Sequence, residues 1–530
     1  MAAYRGASAG TQSTGLPAKE DSAIRIPQSA IEDAILDALD ESTAAALVAE
    51  VPGEPEHYSF SHALIRTTLY EELSSARRAR LHRRVGEALE ELTGTTPGAR
   101  IDELAHHWLA AAQVADAAKA IGYARQAGDR ALGGLAYEAA AAHYEQALAV
   151  LDPTDRDGEL LRCDLLLALG DAQRSAGDPR FRETMASAAA LARRHGDAHR
   201  LGLAALGSAA PGGGVWRTKV DDTLVALYVE ATAALGPSDS ILRARLLGQL
   251  AVELTITAER ERRHAISAEA VEIARRVGDR VGLAHVLIAV LTAIFDPSTL
   301  AERLCLSAEL EALADDLGNL DFSQRAAHRR TGALLESGDR VGAIGAIARY
   351  EQLAVQLRVP LFNYVARLAR TMWSLMCGSP DAKQQALSAF ELGTSLGLPL
   401  AGDLLAIQLF EIRYRQGRLA ETADAVRALT ESRPNNPAVR AALALLYCEG
   451  DLLTEAREQF EHAVAMNDRL GARPAAMRTR RAYAAMLLDR DAPGDPQRAA
   501  ELITAALAET EQLDVPAEAA KLQRLRARIE

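Results

Sequence analysis

The chain has 530 residues, a length that suits either several ordinary domains or one long repeat array. Hydrophobic residues make up 49% of it but aromatics only 4%, so Ala and Leu supply most of the apolar mass. That composition favours close-packed helices over sheets and offers few surfaces for stacking bases. A net charge of −13 argues against nucleic acid or an anionic membrane as a direct electrostatic partner of the whole chain. No apolar run reaches membrane-spanning length. Cys163, Cys305, Cys377 and Cys448 are scattered with no C-x-x-C, which excludes a zinc knuckle or redox pair and suits a cytoplasmic, reducing setting.

Residues 1–28 are small and polar, without the basic-then-apolar order of a secretory signal, and are expected to be disordered. Ser29-x-x-Glu32 has the form of a capping box, so a helix carrying Ile31, Ile35 and Leu39 is expected to begin there. The run LVAEVPGEPEHYSFSH predicts a hairpin about Pro52-Gly53, with Leu47–Val51 as one strand and Tyr58–Phe60 as the other. Ser61 is placed to cap a helix with the stripe Ile65, Leu69, Leu73. Ser74 or Ser75 is placed to cap another, with Leu81, Val85, Ala88 and Leu92 inward. The second helix carries the run Arg77, Arg78, Arg80, Arg83, Arg84, with no acid between Ser75 and Gly86.

From about residue 100 a repeat emerges. Gly196, Gly236, Gly278, Gly318, Arg358 and Gly397 are separated by 40, 42, 40, 40 and 39 residues. At −8, −5, −4 and −1 before them stand small or apolar residues, such as Ala270, Ile273, Ala274 and Val277 before Gly278. That is one stripe of a helix closed by a C-cap, and the Asp or Pro beyond starts the next helix or blocks continuation. Each unit has its own internal turn, for example Gly177-Asp178-Pro179, Asp296-Pro297 and Gly338-Asp339. Weaker units end near Arg433-Pro434, Gly471 and Asp514. Gly417-x-Leu419 with Ala423 matches Gly450-x-Leu452 with Ala456, 33 residues on, close to the roughly 34-residue tetratricopeptide spacing. The expected fold is therefore all-α: a tetratricopeptide-like α-solenoid, a right-handed superhelix of about nine or ten helix pairs with a concave face.

The stretch YSFSHALIRTTLYEELSSARRARLHRRVGEALEEL, with ELAHHW and AYEAAAAHYEQAL beyond it, resembles a junction in large bacterial signal-transduction ATPases. These include LuxR-type regulators with an ATPase domain and ATPase-linked class III nucleotide cyclases. The resemblance covers about 33–150; beyond that the likeness is one of repeat style alone. It implies that residues 29–95 are a winged-helix remnant with linking helices, followed by repeats over 96–530. The chain departs from the family in lacking any G-x-x-x-x-G-K-[ST], so the ATPase, cyclase and DNA-reading domains are expected to be absent.

No catalytic, cofactor or metal site is expected. Adjacent His106 and His107 point about 100° apart on a helix and cannot easily share an ion. Asp221-Asp222 and Asp315-Asp316 do not converge as an acid–base pair would. Gly212–Gly214 lacks the Lys and Ser of a phosphate loop. His62 and His82 are expected to hydrogen-bond locally at the junction. The candidate partner contacts are Arg77, Arg78, Arg80, Arg83, Arg84 and Trp216, with Arg83 and Arg84 also placed to pair with Glu87. The leading expectation is a non-enzymatic interaction and sensing scaffold that holds a protein segment or small effector on its concave face. The alternatives are a transcription regulator touching DNA through the basic helix, or a fragment of an ATP-dependent regulator or nucleotide cyclase.

Overall fold

A computed structural model describes residues 28–529 apart from 52–56, 95, 114–115, 153–155, 157, 210–219, 258, 296, 399, 433, 435, 470–472 and 514–515. Outside the described residues lie 1–27 and the Pro52-Gly53 turn, with Gly212–Gly214, Trp216, Asp296, Arg433, Gly471 and Asp514. The same holds for the side chains of the Ser29–Glu32 capping box. The described residues form 25 α-helices and one two-stranded hairpin. The chain divides into two compact units, residues 1–123 and 124–530.

The first unit opens with α1 (Gln28–Ala44), β1 (Val48–Glu50) and β2 (Tyr58–Phe60). The strands pair antiparallel with Val48 opposite Phe60 and Glu50 opposite Tyr58, one residue shorter at each end of β1 than the pattern suggested. Then follow α2 (Ala63–Glu72), α3 (Ser75–Thr93) and α4 (Ile101–Ala111), and the unit boundary falls within α5 (Ala117–Gly133). His62, not Ser61, caps α2, accepting the Leu64 N–H at 3.2 Å. Ser74 caps α3 through the Arg77 N–H.

The buried face of α3 differs from the apolar stripe. Ala79, His82, Gly86 and Leu89 point inward, whereas Leu81, Val85, Ala88 and Leu92 are exposed. The reason is Trp108 on α4. Its indole lies over Gly86, where any Cβ would meet the ring nitrogen at 2.9 Å, so the glycine side of α3 must face it. The ring is then covered by the Lys119 ammonium, 4.5 Å from its centroid, and by the parallel Tyr123 ring. Glu90 closes this cluster, accepting from Lys119 Nζ at 3.0 Å and Tyr123 Oη at 2.8 Å.

The second unit is a tetratricopeptide-like α-solenoid. It runs through α6 (Tyr137–Val150), α7 (Glu159–Ala176), α8 (Phe181–His195), α9 (Ala198–Gly207) and α10 (Asp222–Leu235). Next come α11 (Ile241–Glu253), α12 (Arg260–Val277), α13 (Arg280–Ala293), α14 (Leu300–Leu317) and α15 (Leu320–Ser337). Then α16 (Arg340–Leu357), α17 (Pro360–Met376), α18 (Ala382–Ser395), α19 (Ala401–Arg415) and α20 (Ala423–Ser432) follow. The last five are α21 (Pro437–Glu449), α22 (Leu453–Arg469), α23 (Arg473–Arg490), α24 (Asp495–Leu513) and α25 (Pro516–Arg526).

Each helix packs on the next. The substantial second-neighbour contacts among the described residues join α7 to α9, α9 to α11, α11 to α13 and α13 to α15. Further along they join α17 to α19, α21 to α23 and α23 to α25, again odd to odd. Odd-numbered helices thus form one layer and even-numbered helices the other. The stripe residues build the core between layers: Ala188, Leu191 and Ala192; Ala270, Ile273 and Ala274; Leu310, Leu313 and Ala314; Tyr350, Leu353 and Ala354 are all buried. The −1 position does not join them. His195 and Val277 are exposed and Leu317 half-buried.

The turns are built as their residues dictate. Gly196, Gly278 and Gly318 close α8, α12 and α14 in the left-handed conformation. The next residue then caps the following helix. Asp197 accepts the Arg200 N–H at 2.9 Å, and Asp279 and Asp339 do the same for Gly282 and Gly342. Arg358 occupies the corresponding turn after α16 at φ 54°, ψ 28°, a conformation that costs a non-glycine residue about 1–2 kcal/mol. Arg358→Gly is therefore expected to raise the melting temperature, by an amount corresponding to about 1 kcal/mol after the added freedom of the unfolded chain is subtracted. Thermal denaturation followed by circular dichroism checks this, and a lowered melting temperature would contradict the turn geometry.

Candidate functional site

The odd-numbered layer carries a cavity of about 490 Å³, lined from α7, α9, α11, α13 and α15 with Met185 of α8 reaching in from behind. Met185 can do so because Gly170 on α7 and Gly207 on α9 leave no side chain in its path; a Cβ at either would collide with its thioether. One part of the wall is apolar, with Leu203, Leu206, Ile288 and Ala289. Another part is polar or charged: Asp171 and Arg174 on α7, Arg245 and Glu253 on α11, His285 on α13, and Asp321, Arg325 and Arg329 on α15.

These charges are not equally satisfied. Arg174 Nη2 donates to Asp171 at 2.5 Å but leaves its buried Nε without a partner. Arg325 Nε donates to Asp321 at 2.8 Å. Arg329 donates to the Thr292 hydroxyl at 2.6 Å and has no carboxylate partner among the described residues. Half-buried Arg245 has neither a hydrogen bond nor an ion pair among them. Several arginines elsewhere in this unit find acids on neighbouring repeats. Arg200 chelates Asp164 at 2.7 and 2.9 Å, Arg193 holds Glu230, Arg275 holds Glu309 and Arg276 holds Asp239.

The electrostatics follow. Burial lowers the pKa of Arg245, opposed first by attraction to Asp279, with smaller contributions from Arg174, which repels it, and Asp171, which attracts it. Burial and neighbouring Arg325 bring Arg329 down to about 10. His285 packs edge-on against Phe322 with ring centroids 5.0 Å apart. Burial, then Arg245 and Arg325, hold it down to about 4. His328, stacked on Tyr350, is brought to about 3 by burial and then by Arg329 and Arg325. Behind burial, the positive charge of Arg245, Arg325 and Arg329 thus adds to the lowering at His285 and His328.

Of the residues singled out in the sequence, Trp216 lies outside the described residues. Arg77, Arg80 and Arg84 are exposed on α3 and make no ion pair among the described residues. Arg83 pairs with Glu87 at 2.8 Å, and Arg78 lies over the Tyr70 ring at 5.1 Å. The histidines of this unit gather beside them. His82 Nε2 bonds Tyr70 Oη at 2.8 Å and its Nδ1 faces His107 Nδ1 at 2.9 Å, so one ring donates the proton the other accepts. No cluster suited to a metal ion occurs among the described residues. The acid pairs diverge: Asp221 caps α10 while Asp315 and Asp316 reach Arg349 and Arg280 respectively. No helix among the described residues is long and apolar enough to cross a membrane.

The groove was missed in the sequence because its residues come from five helices, and the local pairs among them, Asp171 with Arg174 and Asp321 with Arg325, look like ordinary surface ion pairs. The faint signal is an excess of Arg on odd-numbered helices without an acid about one repeat away. A pH effect follows from the two depressed histidines. In the unfolded chain both charge near 6.5, in the fold only near 4 or below, so the unfolded state binds more protons in between. Stability is therefore expected to fall as pH drops from about 6.5 toward 4, and His328→Gln should flatten that decline. Melting curves at about pH 7 and about pH 5 test it; an unchanged slope would remove His328 from the account.

No protein-family profile matches the chain, and no curated protein matches it. Among solved structures it is similar to yeast Tom70, at 14% identity over 78% of this chain and 90% of that one, with a TM-score of 0.37. It is also similar to the APC/C hetero-tetramer Cut9–Hcn1, at 14% identity over 86% of this chain and 98% of that one, with a TM-score of 0.34. At these scores the fold class rests on the chain's own helix order and contacts.

Proposed function

We propose that the chain is a non-enzymatic interaction and sensing scaffold of a bacterial signalling or transcription-regulatory system, whose odd-numbered helix layer holds a protein segment or small effector. One observation carries this reading: a cavity runs across five successive odd-numbered helices and presents Arg245 without a hydrogen bond or ion pair, and Arg329 without a carboxylate, among the described residues. In a repeat array each unit touches only its neighbours, so a ligand that bridges several helices acts on the spacing of all of them. The signalling setting rests on the junction stretch. The resemblance implies a winged-helix remnant there, and the succession of hairpin, α2 and basic α3 supports that reading, in which exposed Arg77, Arg80 and Arg84 would meet a partner.

The test places a photo-reactive residue at Gln249, which lines the cavity, and at Glu272, exposed on even-numbered α12. Crosslinking in host extract should capture a partner or metabolite at 249 and not at 272. Equal capture at both, or none at 249, would sink the reading. Direct DNA contact through α3 is the second reading, favoured by exposed Arg77, Arg80 and Arg84 without acidic partners among the described residues. It requires a mobility shift at low salt that disappears when these three are reversed in charge; absence of a shift removes it.

A further inference from the structure

The cavity on the odd-numbered layer combines two features seldom left together without a ligand. Two half-buried guanidinium groups, Arg245 and Arg329, face it with no carboxylate partner, and an apolar wall of Leu203, Leu206 and Ile288 lines the same space. Removing a cation from water without a counter-charge is unfavourable. The chain has acids to spare, with 72 Asp and Glu against 59 Lys and Arg, and it uses them to pair arginines in other repeats. At this place it does not. The planar guanidinium, with its fork of N–H donors, matches a carboxylate or phosphate better than it matches any neutral group. A volume of about 490 Å³ is that of a small-molecule pocket.

We propose that this cavity binds a small organic anion, with a carboxylate or phosphate group seated against Arg245 and Arg329 and an apolar body against Leu203, Leu206 and Ile288. The proposal rests on the reading of this layer as the ligand-facing surface and names the class of effector. The anion supplies the missing counter-charge to helices α11 and α15 at once, on either side of α13 and its neutral His285. It therefore holds three consecutive odd-numbered helices in one register. Asp171 and Asp321 are hydrogen-bonded to Arg174 and Arg325, and neither forms an ion pair with Arg245 or Arg329 among the described residues.

The experiment uses the full chain and three probes of one body: octanoate, octyl phosphate and octanol. Calorimetric titration should show saturable binding of octanoate or octyl phosphate, whichever head group the site prefers, and at least tenfold weaker binding of octanol. Arg245→Gln and Arg329→Gln should each weaken the anion at least tenfold. Arg193→Gln, which removes an outer ion pair to Glu230, should leave binding unchanged. A purely structural role is separated by the melting temperature without probe. Removing an unpaired buried charge should leave it unchanged or raise it, while abolishing the rise caused by the anion. Should either variant fail to fold, Arg245→Lys and the comparison of octanol with the anions on the unaltered chain decide the matter. Binding of octanol as tight as that of the anions, no binding of either anion, or full affinity in both Gln variants would overturn the proposal. Capture of a partner at Gln249 together with indifference to probe charge would retain the scaffold and discard the anion.

Discussion

Close approach of alanine-faced helices is the constraint on which the second unit depends. Ala188, Ala204, Ala231, Ala244, Ala274, Ala314 and Ala354 are all but fully buried, each where one helix meets another. A methyl group gives little burial by itself, so no single helix pair of this composition holds together. Dispersion and apolar burial accumulate only when pair stacks on pair. The few large buried groups, such as Tyr144, Tyr228, Tyr350 and Tyr483, sit among these small residues and fix how the faces interdigitate. Tyr483, for instance, stacks on Phe460 and ends in a hydrogen bond to Glu461 at 2.9 Å.

Small contact residues also create the site. Gly170 on α7 and Gly207 on α9 leave room for Met185, which lines the cavity beside Gly207. Ion pairs meanwhile stitch repeats together along the outer surfaces, as Arg275 to Glu309 and Arg280 to Asp316 do. Most are exposed and contribute little stability individually. Their interest lies in the contrast they provide. The chain pairs many arginines with acids on neighbouring repeats, and in the groove Arg245 and Arg329 have no such partner among the described residues.

How far the sequence reveals this depends on the range of the interaction. Cap chemistry is local, so Gly278-Asp279 and Gly338-Asp339 announce both their turns and the helices that follow. The layer-to-layer stripe is likewise local and periodic. The face of α3 is a different case. Its inward positions include His82 and Gly86, chosen by the size of Trp108 more than 20 positions away, while its apolar Leu81 and Val85 look outward. An apolar count along one helix cannot register that. The groove is further still from local legibility. Arg245 and Arg329 are 84 positions apart, and what distinguishes them is an absent acid, a property of the surroundings alone.

A repeat array transmits strain only through neighbouring contacts, so the position of a charge defect along it matters. Arg245 and Arg329 lie on α11 and α15, with α13 between them contacting both helices. Their like charges, together with Arg325, disfavour closing this part of the layer, and Arg245 and Arg325 add to the burial that keeps His285 neutral. The same core cluster that holds α13 also includes Leu247 of α11, Leu310 of α14 and Phe322 of α15, so movement at the groove cannot be isolated from the packing behind it. A fold stabilised by many small contacts is soft enough to be biased by one strong electrostatic one. That places the most responsive element of the second unit at α11 to α15, where unpaired charge and continuous packing coincide.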